Sequence, residues 1–365
     1  MKASHLIPLL LLIGGMVYSC NSKDEEPDKL KSILADTVAT ELESSSGFVA
    51  GMASISKVGS KEEPISVVFV WRDDKQEYDD CSYQIDRMPV SPGGIMQTVT
   101  LTYYLDKGRI TPDKQLPTNH GVLPELMNCS NAWPDDVHIK DYELMYGRDS
   151  ISIREGFLMS SRYVTDRYVL DDMNMLKNYW ARSSFHGFIE QLTDYLGTSP
   201  AYYRPHYYYV DYLKRNTTGI ADGRDILISQ KQILNFYGSI ANNGINPWHS
   251  LVTKKRICSE ETANAIKALL RENVLNGTGV RLRDCSAPVA GKTGYGELDK
   301  GRIPFYGSIE DHGTLRTNSF VGFFPYDNPQ YTLSITYYLD SEVMSSLSQT
   351  TFKKIVDKMM EENLL

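Results

Sequence analysis

Strand-like sequence is confined to the two ends of this chain, and a long helical middle separates them. Asp28–Ser45 places Leu30, Ile33, Leu34, Val38 and Leu42 at helical spacing. Gly47–Ser56 and Ile65–Trp71, the second rich in Val, Ile and Phe, flank a turn around Gly59–Pro64 and read as a β-hairpin. Pro92–Gly94 breaks the chain before a helix running to about Asp106, which Gly108 stops. Ile151 to Lys214 is mostly helical in pattern, with Tyr/Pro-rich loops, and Ser229–Asn242 and Glu260–Asn273 are two further helices. Strand signals return at Pro288–Thr293, Ser319–Phe324 and Tyr331–Tyr338. A last helix, Glu342–Glu362, carries Phe352, Ile355, Val356, Met359 and Met360 on one stripe. No strand–helix–strand alternation exists, so a doubly wound parallel sheet is disfavoured. The expectation is an α+β fold: an antiparallel five-stranded sheet drawn from both chain ends, flanked by helices, with an inserted all-helical subdomain at about 91–275. By length, 365 residues allow two domains or one large mixed one. No Pro/Gly/Ser-rich linker divides the chain, so 30–365 reads as a single domain, and 41% apolar content suffices for its core.

The first twenty residues stand apart from that fold. Lys2, the short apolar run Leu6–Val17 and the ending Val17-Tyr18-Ser19-Cys20 read as a secretory signal, too short for a comfortable membrane span. The ending resembles a bacterial lipobox, which implies cleavage before Cys20 and lipidation of its thiol; an uncleaved anchor is the alternative. Residues 21–29 then form a polar tether, whose Lys23-Asp24-Glu25-Glu26 run resembles a surface-export signal of Bacteroidetes-type lipoproteins. A merely polar linker explains the same run, so the membrane face stays open. Cys81, Cys129, Cys258 and Cys285 remain, an even number in an exported chain, which suggests disulfides. Spacing favours Cys81–Cys129 and Cys258–Cys285, each closing a local loop, although connectivity does not follow from sequence. The seven His residues are scattered, without His-Glu-x-x-His or Cys-x-x-Cys, so neither metal nor cofactor is expected. A net charge of −8, with no basic stripe, argues against a nucleic-acid partner.

Val289-Ala290-Gly291-Lys292-Thr293-Gly294-Tyr295-Gly296-Glu297 is the strongest motif. A phosphate-cradling loop would need a Gly at position 286, which is Ser286, and a helix after it, where Tyr295–Gly301 reads as a turn. The stretch instead resembles the Lys-Thr-Gly edge strand of the penicillin-recognising serine enzymes. Four more segments, in the right order, are similar to transpeptidase domains of penicillin-binding proteins. Ser91-Pro92-Gly93-Gly94-Ile95-Met96-Gln97, with Leu105–Asp113 after it, resembles the Pro-Gly-Ser-x-x-Lys helix. Arg154–Arg162 resembles the Ser-x-Asn segment, and Ile228–Gly244 the helix ending in Ala-Asn-Gly-Gly. Phe320–Pro325 with Asp327–Tyr331 resembles the strand pair behind the Lys-Thr-Gly strand. The resemblance implies the β-lactamase/transpeptidase-like form of the α+β fold.

In such a site a Ser hydroxyl needs an adjacent base, and a Lys three residues on along a helix shares its face. A second Ser and an Asn line the facing wall, and the Lys-Thr-Gly strand draws the ligand's carboxylate and pairs with its backbone. Two backbone N–H groups, by resemblance at the nucleophile position and at Tyr295, hold the oxyanion. This chain departs at the centre: Gly94 stands at the nucleophile position, Gln97 at the base position and Arg162 at the Asn position. Ser160 and Lys292-Thr293-Gly294 survive. Loss of a nucleophile from such machinery costs on the order of 10⁶ in rate. The reading is therefore a pseudo-enzyme that binds a peptidoglycan stem peptide or an envelope protein. Its substrate-binding residues are Lys292, Thr293, Gly294 and Tyr295. The competing reading is an active acyl enzyme, a D,D-transpeptidase/carboxypeptidase or β-lactam-reactive protein, using Ser160 with Lys292. Arg162 is more often a surface or salt-bridged arginine than a ligand, but in a cleft beside Lys292 it would add a second cation and favour an anionic ligand. Tyr202–Tyr209 is either a stacking wall beside the cleft or aromatic packing on the helical region, the second being favoured.

Overall fold

A computed structural model of the chain describes residues 25–127, 134–139, 148–175, 187–188, 191–197, 202–203, 217–249, 253, 255–303, 313–340 and 346–365. The main elements are helix α1 (Glu25–Glu43), strands β1 (Phe48–Lys57), β2 (Ile65–Arg72) and β3 (Glu77–Asp80), and helices α2 (Gly94–Asp106), α3 (Ile153–Leu158), α4 (Arg162–Met175), α5 (Gln230–Ala241) and α6 (Glu260–Asn276). Strands β4 (Ala290–Asp299), β5 (Thr314–Phe324) and β6 (Tyr331–Leu339) and helix α7 (Leu347–Glu361) complete them. The strands form one antiparallel sheet in the order β3-β2-β1-β6-β5-β4, so the two chain ends meet at the central β1–β6 pair.

The sheet has six strands, not five. The extra edge strand β3 pairs Asp80 with Phe69 and Glu77 with Arg72. Its sequence Glu-Tyr-Asp-Asp lacks apolar alternation, because an edge strand with exposed faces does not need it. A second difference lies at the other edge. β4 does not turn after Gly294 but continues, paired with β5, to the Asp299–Thr314 couple. A Cβ at Gly294 would overlap the Pro92 carbonyl, and one at Gly296 would overlap Ser91. The glycines let the strand lie against the backbone before α2; they do not mark a turn.

Each face of the sheet carries its own core. On one face α1 buries Leu30, Leu34, Val38 and Leu42 and α7 buries Phe352, Ile355, Val356 and Met359, with Phe320 and Phe352 edge to face at 4.9 Å. Met360, expected on that stripe, is 39% exposed. On the other face α2, α4, α5 and α6 pack around Val90, Met96, Tyr104, Phe236 and Leu270. These two cores also correct the second disulfide. Cys258 and Cys285 are both free thiols; Cys258 belongs to the α5 side, while Cys285 packs on the α7 side beside Asp357. The sheet stands between them. Burial pushes the Cys258 thiol up to about 12.

Cys129, the expected partner of Cys81, lies outside the described residues, as do Cys20 and the signal peptide. α1 begins at Glu25, within the stretch expected as a tether. Of Tyr202–Tyr209 only Tyr202 and Tyr203 are described, paired with Leu227 and Ile226. Among the described residues no helix is long and apolar enough to cross a membrane, and no group of three His, Cys, Asp or Glu residues could hold a metal.

Candidate active site

A cleft of about 790 Å³ opens where β4 meets the start of α2, and Gly94, Gln97, Ser160, Arg162, Thr293 and Tyr295 are among its walls. The Lys-Thr-Gly strand and the α2 start are pressed together at Gly93, whose φ of 47° is open chiefly to glycine and whose Cβ would overlap the Tyr295 carbonyl. α2 therefore begins at Gly94 with its first turn held against β4.

No side chain stands at position 94, where the resemblance expects the nucleophile, and little room is left for one. A Cβ on Gly94 would lie 2.8 Å from Ser160 Oγ, 2.8 Å from the Thr293 carbonyl oxygen and 3.1 Å from Lys292 Nζ. The surviving polar groups occupy the space beside it. Ser160 is placed by α3, which Ser152 and Glu155 start with a reciprocal capping box. After that helix Ser160 adopts a left-handed φ of 56°, uncommon for a residue with a Cβ, while its N–H donates to the Phe157 carbonyl at 3.1 Å.

Lys292 is fully buried beneath Ser160. Its Nζ donates to the Ser160 hydroxyl and, at 3.4 Å, to the Thr293 carbonyl, and lies 5.5 Å from the centre of the Phe157 ring. No carboxylate among the described residues pairs with it. Burial without a counter-charge lowers the amine to about 7. The lysine expected to draw a carboxylate is thus a half-neutral amine behind the cleft wall. Thr293 and Gly294 hold the strand in place. The Thr293 hydroxyl meets Thr278 Oγ1 at 2.7 Å, Thr278 donates to Asn273 Oδ1 at 3.2 Å, and Asn273 Nδ2 donates to the Gly291 carbonyl at 2.9 Å.

Gln97 lies one turn along α2 from Gly94 and is 3% exposed. Its Nε2 donates to the Ser160 carbonyl at 3.2 Å, and its Oε1 is buried without a hydrogen-bond partner among the described residues. The Tyr295 hydroxyl is likewise buried without a partner there, and burial raises its pKa.

Arg162 lines the cleft with its charge matched, which fits the expectation of a salt-bridged arginine and not that of a second cation left for an anionic ligand. Its Nε lies 3.3 Å from Asp222 and 3.6 Å from Asp166, and its Nη2 donates to the Asp135 carbonyl at 2.8 Å. Arg224 reaches the same two acids, at 2.6 Å and 3.4 Å. Burial, and then the neighbouring Asp222, holds the Asp166 carboxyl well above the usual range. Asp166 is legible as an i,i+4 partner of Arg162 on a helix. Asp222 and Arg224, paired with each other, carry no sequence signal of their role at the cleft, since their partners on α4 are about 60 residues away.

Chemically, the cleft has one hydroxyl with an amine able to take its proton, a buried amide acceptor and a neutralised ionic cluster. Residues 72–360 match the family described as penicillin binding protein transpeptidase domain. No curated protein matches the sequence. Among solved structures, the chain is similar to the transpeptidase domain of Burkholderia pseudomallei penicillin-binding protein 3, with 19% identity, 92% of this chain and 95% of that one covered, and a TM-score of 0.65. A peptidoglycan glycosyltransferase from Burkholderia ambifaria aligns with 18% identity over 93% of this chain and 96% of its own, with a TM-score of 0.62. Penicillin-binding protein 2B from Streptococcus pneumoniae aligns with 15% identity and a TM-score of 0.69, over 93% of this chain but 58% of its own length. At these identities the likeness is one of fold.

Proposed function

This chain belongs to the penicillin-binding-protein transpeptidase family, and from that premise we propose that it is a lipid-anchored pseudo-enzyme of the cell envelope. It binds a peptidoglycan stem peptide, or a protein partner, in a cleft whose acylation centre is degenerate. The observation that carries this reading is Gly94. Glycine has no oxygen to acylate, and a Cβ there would press on Ser160, Lys292 and the Thr293 carbonyl. Gln97, at the base position, is an amide and takes no proton. Binding retains its means: β4 is the outer strand of the sheet, so an extended peptide can add to its unpaired side beside the cleft.

A second reading rests on a different observation, the contact between the Ser160 hydroxyl in the cleft wall and an amine lowered to about 7. In that reading Ser160 Oγ attacks a β-lactam carbonyl, Lys292 Nζ takes the hydroxyl proton, and the ring C–N bond breaks with the nitrogen accepting a proton. An ester on Ser160 results. Intact-mass measurement after long incubation with a β-lactam, on protein beginning at Asn21, separates the two. The expected result is an unchanged mass. An adduct mapping to Ser160 would overturn the pseudo-enzyme and establish the second reading.

A further inference from the structure

A second cavity, of about 630 Å³, lies toward the opposite edge of the sheet from the cleft and shares none of its lining residues. The end of α1, the start of β1, the end of β2 and strand β3 bound it, and Phe48, Trp71 and Tyr78 are among its walls. Trp71 and Tyr78 are paired across β2 and β3, with their rings 5.1 Å apart at 68°. Their polar ends are committed: the indole N–H donates to Asp73 at 2.8 Å, and the Tyr78 hydroxyl donates to the Phe48 carbonyl at 2.7 Å. Both side chains remain part-exposed, so what they offer a ligand is ring surface, whose faces carry negative potential. The charges around the cavity have the same sign. Glu43, Asp73 and Glu77 line it, are exposed and form no ion pair among the described residues, and no Lys or Arg lines it. The cations nearby in sequence are engaged elsewhere, Arg72 with Asp74 and Asp79 and Lys75 with Asp79.

We propose that this groove docks a protein partner through arginine, the guanidinium resting on the Trp71–Tyr78 ring surface with its N–H groups on the surrounding carboxylates. A guanidinium is the side chain that combines both contacts: it stacks on aromatic rings and presents forked donors to a carboxylate. The cavity is larger than one arginine side chain fills, which leaves room for flanking backbone. β3 beside it is the outer strand of the sheet, so an extended segment can add to its unpaired side. The acids of β3 match a basic segment and oppose an acidic one. The partner is thus a protein with a basic, extended segment. This docking is independent of the cleft and stands whether or not Ser160 can be acylated.

The test titrates the protein beginning at Asn21 by calorimetry with a capped Gly-Arg-Gly-Arg-Gly peptide, whose arginines share one face of an extended strand. Its citrulline counterpart, uncharged and of the same shape, and N-acetyl-argininamide are the comparison probes. The arginine peptide is expected to bind with a Kd below about 1 mM, and the other two at least about tenfold more weakly. Glu43→Gln with Glu77→Gln, both at exposed side chains, is expected to weaken the peptide about tenfold. Trp71→Leu leaves every charge in place and is expected to weaken it about fivefold. Glu261→Gln with Glu361→Gln, the same charge change at exposed sites on α6 and α7, is expected to cost less than about twofold. Equal losses from the two charge pairs, or wild-type binding by Trp71→Leu, would reduce the contact to attraction for an acidic chain and overturn the proposal. So would no binding of the arginine peptide at about 1 mM. Argininamide binding as tightly as the peptide would replace the docked partner with a small guanidinium ligand, overturning it too.

Discussion

Two sites with buried ionisable groups meet at the same cleft and resolve burial in opposite ways. The buried Asp166 and Asp222 lie beside the part-exposed Arg162 and Arg224, which supply the acids with counter-charge, although burial and Asp222 still raise the Asp166 carboxyl well above its usual range. Lys292 is fully buried with a hydroxyl, a carbonyl and an aromatic ring for company, and it responds by giving up much of its charge. A buried carboxylate keeps its charge best beside a guanidinium, which scarcely deprotonates, whereas a buried amine without a counter-charge can be neutralised. The first arrangement fixes a wall; the second creates a base.

Substitutions should therefore have opposite signs at the two sites. The largest effect is expected at the paired cluster. Arg224→Met leaves two buried acids facing one arginine and should lower stability in urea unfolding at pH 7 by about 3 kcal/mol. A loss under about 1 kcal/mol would mean that Asp166, already raised well above the usual carboxyl range, holds a proton and needs no second arginine, which would erase the contrast. Lys292→Met, nearly matched in volume, removes an amine without a counter-charge. It should raise stability at pH 7 by on the order of 2 kcal/mol, the lost contact with Ser160 offsetting part of the gain.

The smallest effect, measured per pH unit, is the most specific. The folded amine titrates near 7 and the unfolded one near 10.5, so both states are protonated below 7 and the burial penalty is then complete. Between those values the unfolded chain binds the extra proton, and wild-type stability should rise with pH by at most about 1.4 kcal/mol per unit. Lys292→Met should lack this component of the slope. An identical slope in both proteins would show that the amine is not neutralised by folding.

Much of the framework was legible in the sequence because it depends on local periodicity. The hairpin of Ile55 against Ile65, the start of α2 after Pro92-Gly93 and the apolar stripe of α7 all follow from patterns within 20 residues. What escaped reading depends on contacts distant in sequence. β3 is too polar to alternate, and the glycines of β4 resemble a turn until the α2 segment is laid against them. The positions of Gly94, Gln97, Ser160 and Lys292 were assigned through family resemblance, but their mutual geometry was not. That Lys292 would lie beneath the wall, and that Arg162 would be matched by Asp222, required the folded chain.

The crowding at Gly94 also bears on reversibility. A single Gly94→Ser substitution would restore the hydroxyl to the sequence without restoring a place for it, because the Thr293 carbonyl is backbone and cannot swing aside as a side chain could. On the reading proposed above, seating a nucleophile at position 94 would require β4, Ser160 and Lys292 to withdraw together, and a base to stand at position 97 as well. On the proposed pseudo-enzyme reading, the crowding at position 94 therefore keeps a single substitution from supplying a working hydroxyl there.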